Sequence, residues 1–328
     1  MKNISRVVSI GAYLSAILVL AGCSSVADYQ QPITDLNESM THSVVTIESI
    51  DSQLTAAQNK RWRELVSKDE AFLLEADDSC ALGTKSCSLV VIAKGSDQEE
   101  AFPVTSMMPN AAKALSGLKG YTEGLKEIVD ADTAASIISS ANAALASASS
   151  IELEIAKAKG QSSTASAIEA YSSPLSNSFS WLISQYIDRE KVKALAAATK
   201  RAQPAIESLA NYYDTAASAA ASLKASEALD NFLKAQSRFD DSSMKNTQEI
   251  NQYLAAVKSY DTALKAGSSE PMKKFLIAHT ALNKALSGSE DVSLADAIAA
   301  IKEFKKHSED FKGLVVEFIQ VAKEQEAN

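Results

Sequence analysis

The chain has 328 residues, 41 acidic and 32 basic, for a formal net charge of −9, and such an acid surplus excludes duplex nucleic acid as a natural partner. Hydrophobic residues make up 46% of it, enough for a sizeable core, while 11 Gly, 6 Pro and abundant Ala, Ser, Lys and Glu favour helix over sheet. Three His, at 42, 279 and 307, are far apart, and none has a second His or a Cys at ligand spacing, so no metal site is expected.

The first residues carry Lys2 and Arg6, an apolar run from Val7 to Leu20 and then small residues, which is the layout of a secretory signal peptide. Ser9, Gly11 and Ser15 interrupt the run, which falls short of the roughly 20 apolar residues of a spanning helix. At its end stands Leu20-Ala21-Gly22-Cys23. These four residues resemble the lipobox of bacterial lipoproteins. That resemblance, confined to the amino terminus, implies that residues 1–22 are removed, that Cys23 carries the lipid, and that the protein is held on a membrane of the cell envelope. In the Gram-negative members of that class an Asp after the Cys retains the protein at the inner membrane; Ser24 here implies the outer membrane, with the protein facing the periplasm. Loss of Lys2 and Arg6 leaves 30 bases against 41 acids, or −11. Attachment is therefore expected to rest on acyl chains, each buried CH2 adding about 0.8 kcal/mol, and not on a basic face.

Residues 23–31 read as a lipidated tether and 32–328 as the folded body. Pro32 suits a first helical turn, and Ile33, Leu36, Met40, Val44, Ile47, Ile50, Leu54, Ala57, Leu65 and Phe72 recur mostly at three- and four-residue steps, with Arg61 and Lys68 on the same stripe, predicting one amphipathic helix to about Ala76. Trp62, between Arg61 and Arg63, reads as a core-edge aromatic flanked by snorkelling arginines. In 77–108 the helical period stops. Cys80 and Cys87 are the two cysteines left after lipidation, and an oxidising compartment predicts that they pair. A ring of eight residues is worth about 2.5 kcal/mol on chain-entropy grounds. Ser88 to Ala93, rich in β-branched residues, reads as a strand, with Gly95-Ser96-Asp97 as a turn and Ala101 to Val104 as the return strand of a β-hairpin.

Helix resumes from Pro109 to Gly160 on Leu115, Leu118, Leu125 and Ile128, then Ile137, Leu145, Ile151 and Ile155. Gly117, Gly120 and Gly124 weaken its start, while the Ala- and Ser-rich run from 133 to 150 predicts close helix packing. Residues 161–173 mark a break and a possible sub-boundary. Pro174 opens the most aromatic stretch, with Phe179, Trp181 and Tyr186, and Pro204 is expected to kink or end its helix. Three more helices follow: Thr247 to about Ala266, Pro271 to Leu286, and Ser293 to about Lys323. Gly288 offers a left-handed cap to the second, and Asp296 supports the start of the third. The fold class expected is mainly α, an elongated multi-helix bundle with a small disulfide-stapled loop and β-hairpin inserted after the first long helix.

Catalytic, phosphate-binding, dinucleotide and zinc-protease motifs are absent, so no catalytic, cofactor-binding or metal residues are assigned and no enzyme activity is expected. The leading functional expectation is a lipid-anchored helical interaction or scaffold module that docks an envelope protein, its membrane contact made through the lipid. A membrane-active protein, similar only in layout to helical pore-forming toxins, is the alternative. Lys94, Asp97, Glu99 and Glu100 make the candidate tongue poorly suited to lipid. An envelope enzyme without a recognisable motif is the third reading.

Overall fold

The computed structural model describes residues 25–68, 72–76, 89–93, 99–102, 109–159, 183–241, 247–266 and 270–327. The protein is mainly helical, with seven helices and one three-stranded sheet among the described residues. The expected disulfide Cys80–Cys87 and the lipidation residue Cys23 lie outside the described residues, as do Trp181 and the break expected at 161–173.

Helix α1 runs from Ala27 to Lys68. It starts earlier than Pro32 because Val26 and Tyr29 are already buried in the core and Ser25 caps it: the Ala27 amide donates to Ser25 Oγ at 3.2 Å and the Ser25 amide to Asp28 Oδ2 at 2.8 Å. The expected tether is thereby shortened. At its other end α1 stops eight residues before the expected Ala76, and Phe72–Ala76 forms strand β1. This strand pairs antiparallel with β2 (Leu89–Ala93), which pairs with β3 (Glu99–Phe102), in register Leu74↔Val91 and Val91↔Glu100. The return strand thus begins two residues before Ala101, and a third strand completes the sheet that two strands alone would leave marginal.

The single helical run expected from Pro109 divides into α2 (Pro109–Asp130) and α3 (Ala134–Ala158). Thr133 breaks it with a reciprocal cap, its Oγ1 accepting from the Ser136 amide while Ser136 Oγ accepts from the Thr133 amide, both at 3.1 Å. The two helices pack antiparallel through small residues. A Cβ on Gly124 would lie 2.7 Å from Ala144 Cβ and 2.9 Å from its backbone, and one on Gly117 would meet Ser150 Oγ at 2.6 Å. These glycines, read from sequence as a weakness, are what permits the approach. By length and composition α3 is apolar enough to cross a membrane, yet Ile137, Ala141, Ala144, Ala148, Ile151 and Ile155 are spent on the bundle core.

Helix α4 (Ile183–Asp241) continues through Pro204, so the helix does not end there. Proline removes one helical hydrogen bond; Ala202, Ala205 and Ile206, all buried beside it, keep that turn in the core. Helices α5 (Thr247–Ala266), α6 (Glu270–Leu286) and α7 (Leu294–Ala327) complete the chain. Gly288 adopts φ 69°, and the Ser289 amide reaches Lys284 O at 3.1 Å while the Gly288 amide reaches Ala285 O at 3.2 Å, a Schellman closure of α6. Ser293 and Asp296 exchange a reciprocal cap at the start of α7, and the Ser293 hydroxyl and then its amide, both donating to Asp296 Oδ2, hold that carboxyl below its usual range.

Side-chain contacts set the helix directions. Lys305 meets Asp35 at 2.8 Å, and Ser308 Oγ donates to Ser39 O at 2.8 Å and accepts from Ser43 Oγ at 2.9 Å, so α1 and α7 run parallel. Thr199 with Asn283, Gln203 with Thr280 and Asp214 with Lys273 place α4 antiparallel to α6. One large core takes in α1, α2, α3, α6 and the proximal parts of α4 and α7, ending near Tyr213 and Val315. Beyond it α4, α5 and α7 continue as a thinner extension with its own small cluster of Ala228, Tyr260 and Ile319.

Gly124→Ala is expected to destabilise the protein by about 2 kcal/mol, because the helices must separate by more than the gain in helix propensity returns. Gly313→Ala, in an exposed position with nothing within 4 Å of the new Cβ, should instead stabilise it by about 0.5–1 kcal/mol. Urea midpoints of the two variants check both signs.

Candidate functional site

Sequence reading left His279 without a role, and the structure places it at the centre of the body. It lies on the apolar stripe of α6 between Phe275 and Leu282, fully buried. Its Nε2 is 2.7 Å from the Tyr121 hydroxyl of α2 and its Nδ1 is 2.7 Å from Gln203 Oε1 of α4. Gln203 Nε2 donates to Glu207 Oε1 and to Thr280 Oγ1, both at 2.8 Å. The amide is thereby oriented, its oxygen can only accept, and so Nδ1 carries the proton while Nε2 accepts from Tyr121. Both ring nitrogens are used within the protein. Burial lowers the His279 pKa to about 3 and raises that of Tyr121 well above its ordinary value, so both are neutral. A neutral, saturated imidazole packed against the rings of Tyr121 and Phe275 ties three helices and does no acid–base chemistry at neutral pH.

The other two histidines do not join it. His42 is exposed on α1, and His307 lies 3.9 Å from Glu303 on α7. Among the described residues no three His, Cys, Asp or Glu side chains group as metal ligands. Glu190 is buried and paired with Lys193 at 2.7 Å; Lys191 donates to the Val129 carbonyl at 2.7 Å, neutralising the carboxyl end of α2.

A different feature stands out on the extension. Phe239 stacks on Tyr253 with centroids 5.0 Å apart, and Phe232 on Tyr260 at 5.9 Å, which fastens α5 along α4; Lys258 and Glu317, at 2.9 Å, join α5 to α7. With Tyr253, Ala256 and Tyr260 turned inward, Ile250, Leu254 and Val257 form a stripe at steps of four and three along the edge of that covered face, and Leu254 is 57% exposed. Leu233 of α4 and Val316 of α7 are also exposed. The apolar surface of α5 is therefore wider than its neighbours cover. Sequence gives the helix but not how much of that surface a neighbour takes.

Compared with family models, with curated proteins and with solved structures, the chain finds no match in any of the three.

Because His279 is held neutral with its pKa lowered from 6.5 to about 3, the unfolded chain binds a proton in that interval that the folded one refuses. Its contribution is complete above pH 6.5 and is lost as pH falls towards 3. Between pH 6.5 and 5, above most carboxylate titration, urea unfolding should show stability falling with a slope approaching 1.4 kcal/mol per pH unit at about its steepest. His279→Gln should be less stable at pH 7 and lack that component of the slope; an unchanged slope would contradict the assignment.

Proposed function

We propose that the protein is a lipid-anchored helical interaction module of the bacterial envelope, held to its membrane through Cys23 and docking an envelope protein. The exposed apolar stripe of Ile250, Leu254 and Val257 along α5 is the observation that carries the docking half of this reading. Exposed large apolar side chains on consecutive turns of one helix favour a partner's apolar face over water, in the manner of helix-in-groove recognition. The anchoring half rests on the lipobox resemblance of Leu20-Ala21-Gly22-Cys23. The two fit together: a body held beside a membrane meets partners there at raised effective concentration, so a stripe of modest area suffices.

A photo-crosslinking residue at position 254, in the native lipidated protein in its own cells, should form an adduct with another envelope protein, and one placed at exposed Lys284 should not. Polar replacements elsewhere on the stripe, Ile250→Ser with Val257→Ser, should reduce that adduct by several-fold without altering the helical circular dichroism. Adducts from both positions alike, or from neither, would contradict docking at α5.

A further inference from the structure

We infer that the end of the bundle at which α1 begins is the face the protein turns to the lipid bilayer, with the α2–α3 turn, the α6–α7 turn and Tyr186 nearest the headgroups. The inference rests on the reading of Cys23 as the lipidated residue and adds to it a defined orientation. Only four residue steps separate Cys23 from Ala27, at most about 14 Å fully extended, and from Val26 onward the chain is committed to the core.

The levels of the other helices follow from their contacts. Asp35 of α1 pairs with Lys305 of α7, and next to Lys305 the Phe304 ring meets Phe275 of α6 at 5.4 Å. From this shared level α1 starts about 12 Å away and α7 about 16 Å away, in the same direction, at 1.5 Å per residue. Helix α6 ends at Leu286, about 16 Å away in that direction, and α2, level with His279 at Tyr121, ends about 14 Å beyond it at Asp130. Four helix ends therefore finish within roughly two turns of one another, at the end where the anchor enters. Tyr186 of α4, 41% exposed, lies five residues beyond Lys191 on the same side, since Lys191 reaches the Val129 carbonyl near the end of α2. Its ring is amphipathic, the kind of side chain suited to the headgroup layer.

Charge fits a surface held by its tether and not by adhesion. Asp28, Asp132, Glu290 and Asp291 are exposed at this end, and anionic headgroups repel them. The α4–α5 tip is at the other end: Asp240 lies about 55 Å further along α4 than Gln203, away from the anchor.

The test uses full-length protein purified with its lipid and placed in vesicles of phosphatidylethanolamine and phosphatidylglycerol whose headgroups carry an acceptor dye. A donor dye is attached through an azide-bearing residue at position 132, 290 or 240. Mass spectrometry of each preparation reads the amino terminus first. With Cys23 acylated, energy transfer from 132 and 290 should exceed that from 240 several-fold. Equal transfer from all three, or more from 240, overturns the orientation and leaves the anchor standing. A retained Met1 or an unmodified Cys23 overturns the anchor, and the orientation falls with it.

Discussion

The parallel pairing of the first and last helices is the constraint on which the rest of the structure depends. Residues about 270 apart in sequence, Asp35 with Lys305 and Ser39 with Ser308, meet at 2.8 Å. Parallel helices cannot be joined by a short turn, so everything between α1 and α7 is obliged to travel out and back an uneven number of times. The fully buried serine pair adds to the half-buried ion pair. Ser43 Oγ donates to Ser308 Oγ, which donates to the Ser39 carbonyl inside the core, where an unpaired hydroxyl is penalised. A slip of one turn would separate these partners and bring Lys305 away from Asp35.

Within that frame the body is sealed by two unlike devices. Helices α2 and α3 approach through glycine, alanine and serine, which leaves no room for adjustment at Gly124. Helices α2, α4 and α6 are joined by the Tyr121, His279 and Gln203 chain, whose polar groups are all partnered and so specify one arrangement. Past Tyr213 and Val315, among the described residues, the extension is held by stacked rings and a surface ion pair, and five of the exposed large apolar side chains, Leu233, Ile250, Leu254, Val257 and Val316, lie there. A sealed body and an arm that leaves an apolar stripe uncovered is a division of labour suited to the proposed binding.

Much of the fold was legible because helix periodicity and helix punctuation are local. The stripe of α1 and the caps at Gly288 and Ser293 needed no tertiary information. The failures were tertiary. Phe72 continued the α1 stripe in sequence, but backbone pairing with β2 took its segment into a sheet. Pro204 carried the local signature of a helix stop and was overridden by packing of its neighbours. His279 looked solitary because its partners come from helices about 75 and 160 positions away. The exposed residues of α5 had no signal of their own, since covered and uncovered apolar positions read alike until a neighbour occupies one of them.

The account's central claim is that anchoring is part of the binding function, and the most direct measurement compares the adduct from position 254 in two forms of the protein in the same cells. One keeps Cys23; the other is exported as a soluble protein by a cleavable signal with Cys23→Ser. The account predicts that the soluble form has the same helical content and urea midpoint but yields several-fold less adduct. Equal yield from both forms would contradict it.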